Sequence, residues 1–175
     1  MDSKMINIII EALGQTIYMV FFSTLFASVL GFILGIIVTV TSPTGLRPNI
    51  FIYKSLDVII NVLRSFPFII LIVFIIPLTR AIVGTPIGET AAIVPLTIAA
   101  APFVARIIES ALKEVDPGVI EAAKSFGASN LQIIFKVMLK EAVPAIISGL
   151  TLTIINIIGY SAMAGSVGAG GLGKV

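Results

Sequence analysis

The sequence has 175 residues, of which 58% are hydrophobic and only 11% are charged, and its mean hydropathy is +1.15. Soluble domains average about 25% charged residues, so this composition predicts a membrane protein built as one helix bundle. The absence of Cys and His excludes disulfides and removes the commonest general base and metal ligand, so we predict no catalytic residue, metal site or cofactor. A net charge of +2 without clustered Lys or Arg argues against nucleic acid as a partner.

The N-terminal region is predicted to lead into a membrane span. Its first fifteen residues contain one Asp, one Lys and one Glu, and no small-residue cleavage site precedes the apolar run. That run, Thr16–Val40, is 25 residues long and uncharged. A spanning helix needs about 20 apolar residues, so we predict a first span rather than a cleaved signal peptide.

Three further apolar stretches follow, and together they predict an all-α polytopic bundle with four spans. The predicted spans are Thr16–Val40, Val58–Thr79, Thr90–Leu112 and Ala142–Met163. The segment TSPTGLRPNIFIYKSLD between the first two contains Pro and Gly and is predicted to be a cytoplasmic loop. Eight of the eleven Lys and Arg residues then fall on one side of the membrane, which predicts an external N-terminus.

Two details within the spans have structural interpretations. Pro67 and Pro77 lie in the second predicted span, where they can kink the helix. Arg106 and Glu109 are three residues apart on the third predicted span, which favours an ion pair near the inner interface.

The longest polar stretch, residues 113–141, is predicted to be a cytoplasmic loop with two short amphipathic helices. Asp116 can cap the first helix, Pro117 suits its first turn, and Gly127 suits a left-handed C-terminal cap. Ser129 or Asn130 can cap the second. A helix of about eleven residues is marginal alone in water, so each must dock its apolar face on lipid headgroups or on a protein partner.

The run EAAKSFGASNLQIIFKVML resembles the cytoplasmic motif of ABC importer permeases, in which Glu-Ala-Ala precedes a Gly and a later aliphatic-x-Leu-Pro sequence. The matching positions are Glu121, Ala122, Ala123, Gly127, Val137 and Leu139. Lys140 stands where the family usually has Pro. The resemblance implies a coupling helix that inserts into a groove of a separate ATPase subunit. The implied ATPase-coupling residues are Glu121, Ala122, Ala123, Gly127 and, as an aromatic anchor, Phe126.

Further resemblance covers nearly the whole chain. RSFPFIILIVFIIPLTR resembles the second helix of methionine-type and polar amino-acid-type permeases, and ARIIESALKEVDPG resembles their third helix and its exit. The segment Gly159–Gly173, GYSAMAGSVGAGGLG, most resembles the permease subunits of methionine importers. The resemblance implies a type I ABC importer permease, multi-pass in the inner or plasma membrane, that forms the path for D- and L-methionine.

The resemblance also implies partners: two copies of an ABC ATPase subunit, a second copy of the permease, an extracytoplasmic substrate-binding protein and the lipid bilayer. The chain itself is predicted not to be an enzyme, because it has no GxxxxGK[ST] phosphate loop and ATP hydrolysis would belong to the partner. The family has a fifth span after the AGGLG turn, whereas this sequence ends at Val175. We therefore expect residues 1–175 to be one permease domain truncated before that helix. A permease for another amino acid and a nonfunctional remnant remain alternatives.

Polar residues within the apolar spans are the candidates for the translocation path. Arg64 is one, because ionisable residues inside membranes mark functional sites, although snorkelling to headgroups explains it equally well. In the fourth span the polar groups deep enough to face a translocation path are Asn156, Tyr160 and Ser161, and Met163 is a flexible neighbour suited to a thioether substrate. Helix–helix hydrogen bonding is the competing interpretation, above all for Asn156.

Overall fold

The computed structural model describes residues 3–175, which form seven helices and their connections. The helices are α1 (Ser3–Thr41), α2 (Ile50–Ser65), α3 (Phe68–Phe74), α4 (Ile76–Val83), α5 (Glu89–Lys113), α6 (Pro117–Ser125) and α7 (Asn130–Ala169). No strand occurs within the described range. The predicted all-α class is therefore confirmed.

Three helices, α1, α5 and α7, are each long and apolar enough to cross a bilayer. The pair α2 and α3 is also apolar enough in sum, but its two halves are bent by 107°. Counting that pair as one broken span gives four spans, the number that the hydropathy pattern predicts.

The centre of the bundle is α5, which packs against α1, α2, α3, α4 and α7. Its side chains Leu96, Val104 and Ile108 are completely or almost completely buried. By contrast, most large apolar residues of α1 and α7 lie on the outside of the protomer. Burial inside the protomer is thus concentrated on α5, while the flanking helices present apolar faces to lipid or to other chains.

Close packing of α1 on α5 depends on two glycines one turn apart. A Cβ atom placed on Gly31 would lie 2.5 Å from the Cβ of Val104, and one on Gly35 would lie 2.6 Å from the Cβ of Ile108. These distances leave no room for a side chain. The Gly-x-x-x-Gly spacing is the one that allows helix backbones to approach in membranes, where packing rather than escape from water drives association.

Gly31→Ala is expected to destabilise the protein by about 1–3 kcal/mol, because the added methyl group overlaps Val104. Gly14→Ala is the matched control, since a Cβ on Gly14 of the same helix meets no atom within 4 Å. The control should raise stability by about 1 kcal/mol through helix propensity alone. Thermal unfolding of the purified protein in detergent measures both, and equal shifts for the two variants would contradict this packing.

The glycine-rich end of the chain folds back onto α1. Gly170 and Gly171 have φ values of +84° and +74°, which glycine adopts without strain. The backbone N–H of Gly171 donates to the side-chain oxygen of Gln15 (2.7 Å), and that of Leu172 donates to the Thr16 hydroxyl (2.9 Å). This glycine-rich segment is therefore anchored to the N-terminal part of α1.

The second predicted span, Val58–Thr79, is not one continuous helix. α2 ends at Ser65, Phe66 is extended (φ −74°, ψ 128°), and α3 begins after Pro67. Proline lacks an N–H and disfavours the helical conformation at the residue before it, and the break falls at this point. Pro77 does not kink a helix but lies in the first turn of α4.

Two predicted loop boundaries also differ. The loop after α1 is shorter than predicted, because α2 begins at Ile50 directly after Asn49, whose side chain accepts from the N–H of Ile52 (3.2 Å). The predicted second short helix of the 113–141 segment is not separate. It continues into the last span as α7, through a wide turn in which the N–H of Leu139 donates to the C=O of Ile134, five residues back.

Candidate coupling loop and translocation path

The short helix α6 is held at both ends by local signals. The N–H of Gly118 donates to the Asp116 carboxylate (2.6 Å), and Pro117 occupies the first turn. Gly127 has a φ of +79° and ends the helix in the left-handed conformation, as predicted. At the start of α7, Ser129 and Gln132 form a reciprocal capping box. These hydrogen bonds confirm the predicted caps of α6 and of the helix that follows it, and they fix the position of α6 between α5 and α7.

Helix α6 has one face on the protomer and another facing outward. Ile120 and Ala123 pack against the cluster formed by the ends of α5 and α7, which includes Ile134 and Met138. No residue of α6 is fully buried. Ala123 therefore belongs partly to the protomer's own packing, which distinguishes it from the other candidate coupling residues.

The outer face of α6 consists of Val119, Ala122 and Phe126, spaced i, i+3, i+7. All three are exposed, and Phe126 is 91% exposed at the tip of the helix. Glu121 and Gly127 are also exposed. Because large exposed apolar groups mark interaction sites, this outer face points to a partner surface. The structure thus brings Glu121, Ala122, Phe126 and Gly127 together on an accessible knob.

Arg64 and Tyr160, both candidates for the path, line one cavity of about 130 Å³. The cavity lies at the break between α2 and α3. There the ring of Phe68 stacks on Tyr160, with centroids 4.7 Å apart and planes 12° apart. The guanidinium of Arg64 lies 5.8 Å from the ring centroid of Phe103, in the cation–π range. The result is one cation among aromatic faces.

A second, larger cleft of about 450 Å³ adjoins the first. Arg64 and Phe103 line both spaces, and Ser110, Glu114 and Ser148 add polar groups toward the end of α5 that leads into α6. Phe103 precedes the end of α5 by about three turns, and Arg106, about one turn after it, begins the charged end of that helix. Arg64 is itself exposed, so its two interpretations, path lining and snorkelling to headgroups, both stay predictions. The two spaces share Arg64 and Phe103 and lie one after the other along α5.

The candidates on α7 fall into two groups. Asn156, Tyr160 and Met163 follow the spacing i, i+4, i+7, so they share one flank, and Asn156 and Met163 are exposed. Ser161 instead is buried, and its hydroxyl donates to the carbonyl of Ile158 (2.8 Å). The structure therefore places Ser161 away from the Tyr160 flank.

Sequence reasoning missed Phe68 and Phe103 as lining residues of the cavity. Within an apolar span, the sequence does not distinguish an aromatic residue that lines a cavity from one that faces lipid. The one available cue was the position of Phe68 directly after Pro67, where a change of helix direction turns a side chain toward its neighbours.

Comparisons with known proteins agree with this architecture. Residues 31–175 match the family described as binding-protein-dependent transport system inner membrane component. A Vibrio cholerae protein named as a probable D-methionine transport system permease, MetI, is 52% identical over 169 residues, covering 97% of this chain and 75% of that protein. Escherichia coli K12 MetI is 47% identical over 165 residues, covering 94% and 76%.

Solved structures give the same result. An inward-facing crystal form of the MetNI methionine ABC transporter matches with a TM-score of 0.97 and 47% identity, over 100% of this chain and 81% of that one. A chain from a structure of an amino acid ABC transporter with histidines has a TM-score of 0.78 over 98% of this chain and 77% of that one, and its 24% identity shows the fold alone. This chain belongs to the family of binding-protein-dependent transport system inner membrane components, the membrane-spanning permeases of ATP-driven importers.

Proposed function

We propose that this protein forms the translocation path for D- and L-methionine as a homodimer. It works with two ABC ATPase subunits and an extracytoplasmic binding protein. The observation that supports this most is the pair of adjoining spaces along α5, which share Arg64 and extend toward the end of α5 that leads into α6. The similarity to permeases named for D-methionine transport indicates methionine as the substrate.

ATP chemistry belongs to the partner, and the outer face of α6 is its contact. Phe126 is positioned to enter an apolar pocket, and the small Ala122 allows close backbone approach beside it. Glu121 and Gly127 complete the knob, while Ala123 attaches it to the permease. In this arrangement residues 113–141 form the cytoplasmic coupling segment, with the N-terminus on the opposite side of the membrane.

The path accepts methionine through two kinds of contact. Among the described residues, Arg64 is the one charged residue that lines the smaller cavity, and it suits the carboxylate that every amino acid substrate carries. The rings of Phe68, Phe103 and Tyr160 suit a thioether, because sulfur–aromatic contacts contribute about 0.3–1.5 kcal/mol each. Met163 lies on the same flank of α7 as Tyr160 and adds polarisable surface. A positively charged substrate side chain would find no carboxylate among the described residues that line the smaller cavity.

Uptake of labelled methionine by the protein reconstituted with its ATPase and binding protein is expected to be blocked by unlabelled D- or L-methionine. Glutamate and histidine should compete at least tenfold less well, since the cavity offers one cation and no acid. Competition by a charged amino acid alone would instead support a permease for another amino acid. No uptake of any amino acid would support a nonfunctional remnant.

A further inference from the structure

Polar side chains occur at matching positions on the facing sides of α2 and α5. On α2 they are Tyr53, Asp57 and Asn61, each one turn after the last, and on α5 they are Arg106, Glu109 and Lys113. We call these six residues the polar ladder. Both helices lie in an otherwise apolar bundle, so the concentration of polar groups on one interface requires an explanation.

Arg106 is the centre of the ladder. Its guanidinium donates to the carboxylate of Asp57, to the side-chain oxygen of Asn61 (2.9 Å) and to Glu109. Lys113 donates to the other oxygen of Glu109 (2.7 Å), and its ammonium lies 5.7 Å from the ring centroid of Tyr53. Each α2 residue of the ladder therefore lies against a cation of α5: Asp57 and Asn61 against Arg106, and Tyr53 against Lys113.

The charges of the ladder balance, with two carboxylates against two cations. All three ion pairs found in residues 3–175 belong to it. The Glu109 side chain is 6% exposed and that of Arg106 is 19% exposed. Removing one partner of such a pair leaves a buried charge without compensation, which is costly where little water is present. The ladder therefore fixes the register of α2 on α5 more strictly than apolar contacts do.

The two ends of the ladder reach the two parts of the proposed site. Lys113 is the last residue of α5, three residues before the Asp116 cap of α6. At the other end, Asn61 precedes Arg64 by about one turn, and Arg64 contacts Phe103, about one turn from Arg106. A series of contacts thus runs along α2 and α5 from the residue that ends α5, just before the coupling helix, to Arg64.

We propose that Asp57 and Arg106 are positioning residues that transmit movement of α6 to Arg64. This inference rests on the proposed function, since it assumes that α6 contacts the ATPase and that Arg64 lines the path. In this arrangement the ladder moves as one unit. When the ATPase displaces the end of α5, α2 follows and Arg64 moves with it, because the charge pairs prevent the two helices from sliding past each other.

Three variants separate transmission from folding: Asp57→Asn, Arg106→Gln and the two combined. Each single variant leaves one charge of the ladder unbalanced, whereas the double variant restores neutrality and keeps the Glu109–Lys113 pair. A ladder that only stabilises the fold predicts that the double variant recovers both stability and transport. Our proposal predicts that it recovers stability but not transport.

The measurements use the complex with its ATPase and binding protein. Stimulation of ATP hydrolysis by the loaded binding protein is expected to fall about tenfold in Asp57→Asn and to stay low in the double variant, while the melting temperature of the double variant returns toward the original. Glu11→Gln is the matched control, because it removes an exposed carboxylate of α1, outside both the ladder and the coupling segment, and should leave stimulation unchanged.

A labelling experiment tests the movement itself. The chain has no native cysteine, so Ser65→Cys, next to Arg64, gives a unique thiol. Its modification rate by a water-soluble maleimide is expected to differ between ATP-bound and nucleotide-free complexes, and the double variant should abolish that difference. If Ser65→Cys with the original ladder shows the same modification rate in both complexes, the proposed function fails. If the difference and the stimulated ATP hydrolysis persist in the double variant, the ladder does not transmit and this inference is overturned.

Discussion

Replacing Ala122 by Asp is expected to abolish ATP-driven uptake while leaving the permease folded and inserted. Ala122 lies on the exposed outer face of α6, a helix with no fully buried residue, so the protomer tolerates the change. In a close-fitting ATPase groove the same carboxylate would be buried without a partner. That costs about 3–5 kcal/mol, and the binding affinity falls by two orders of magnitude or more.

Capture of the ATPase subunit by immobilised permease, measured alongside substrate-stimulated ATP hydrolysis, checks this prediction. Ala122→Ser is the matched control, since it adds one uncharged atom at the same position and should retain binding. Ala123→Asp is a poorer choice because Ala123 also packs on the protomer's own cluster. Full ATPase binding and stimulation in Ala122→Asp would refute the coupling role and would favour an α6 that lies on lipid headgroups.

The ends of α6 could be predicted because the signals are local. Asp116, Pro117 and Gly127 each act on backbone groups within a few residues, so their effect does not depend on the rest of the fold. The membrane-spanning character of α1, α5 and α7 was predictable for a similar reason, since composition and length decide it.

The course of the chain from α2 to α4 could not be predicted in the same way. Hydropathy continues without interruption across Ser65–Pro67, so a window average sees one span. Pro67 identifies a possible break but not its angle. The 107° bend is supported by packing onto other helices, including the stacking of Phe68 on Tyr160, which is more than ninety residues away in sequence.

The candidate path shows the same limit at the level of single residues. Polarity in an apolar span was enough to single out Arg64 and Tyr160, which line one cavity. It could not separate Tyr160 from Ser161, because adjacent residues on a helix point about 100° apart and only the packed neighbours decide which one faces the cavity. The pair Arg106–Glu109 was predictable from its spacing and is confirmed, but Asp57 lies 49 residues away and joins the network only through tertiary packing.

Replacing Arg64 by Met is expected to reduce uptake of every transported amino acid about 10- to 100-fold, without weakening ATPase binding. The substitution keeps a long apolar stem but removes the charge that would pair with the substrate carboxylate, an interaction of about 1.5–3 kcal/mol. Arg64→Lys keeps the charge but not the planar donor pair, so an intermediate loss is expected. Arg80→Met, the same change on exposed α4 away from both cavities, is the matched control and should transport normally.

Initial uptake rates in proteoliposomes, with ATPase binding measured in parallel, decide the outcome. Because the carboxylate is common to all amino acids, the order of competitor strength should stay the same in Arg64→Met. A change in that order with an undiminished rate would mean that Arg64 contacts the variable side chain, and normal uptake would remove it from the path.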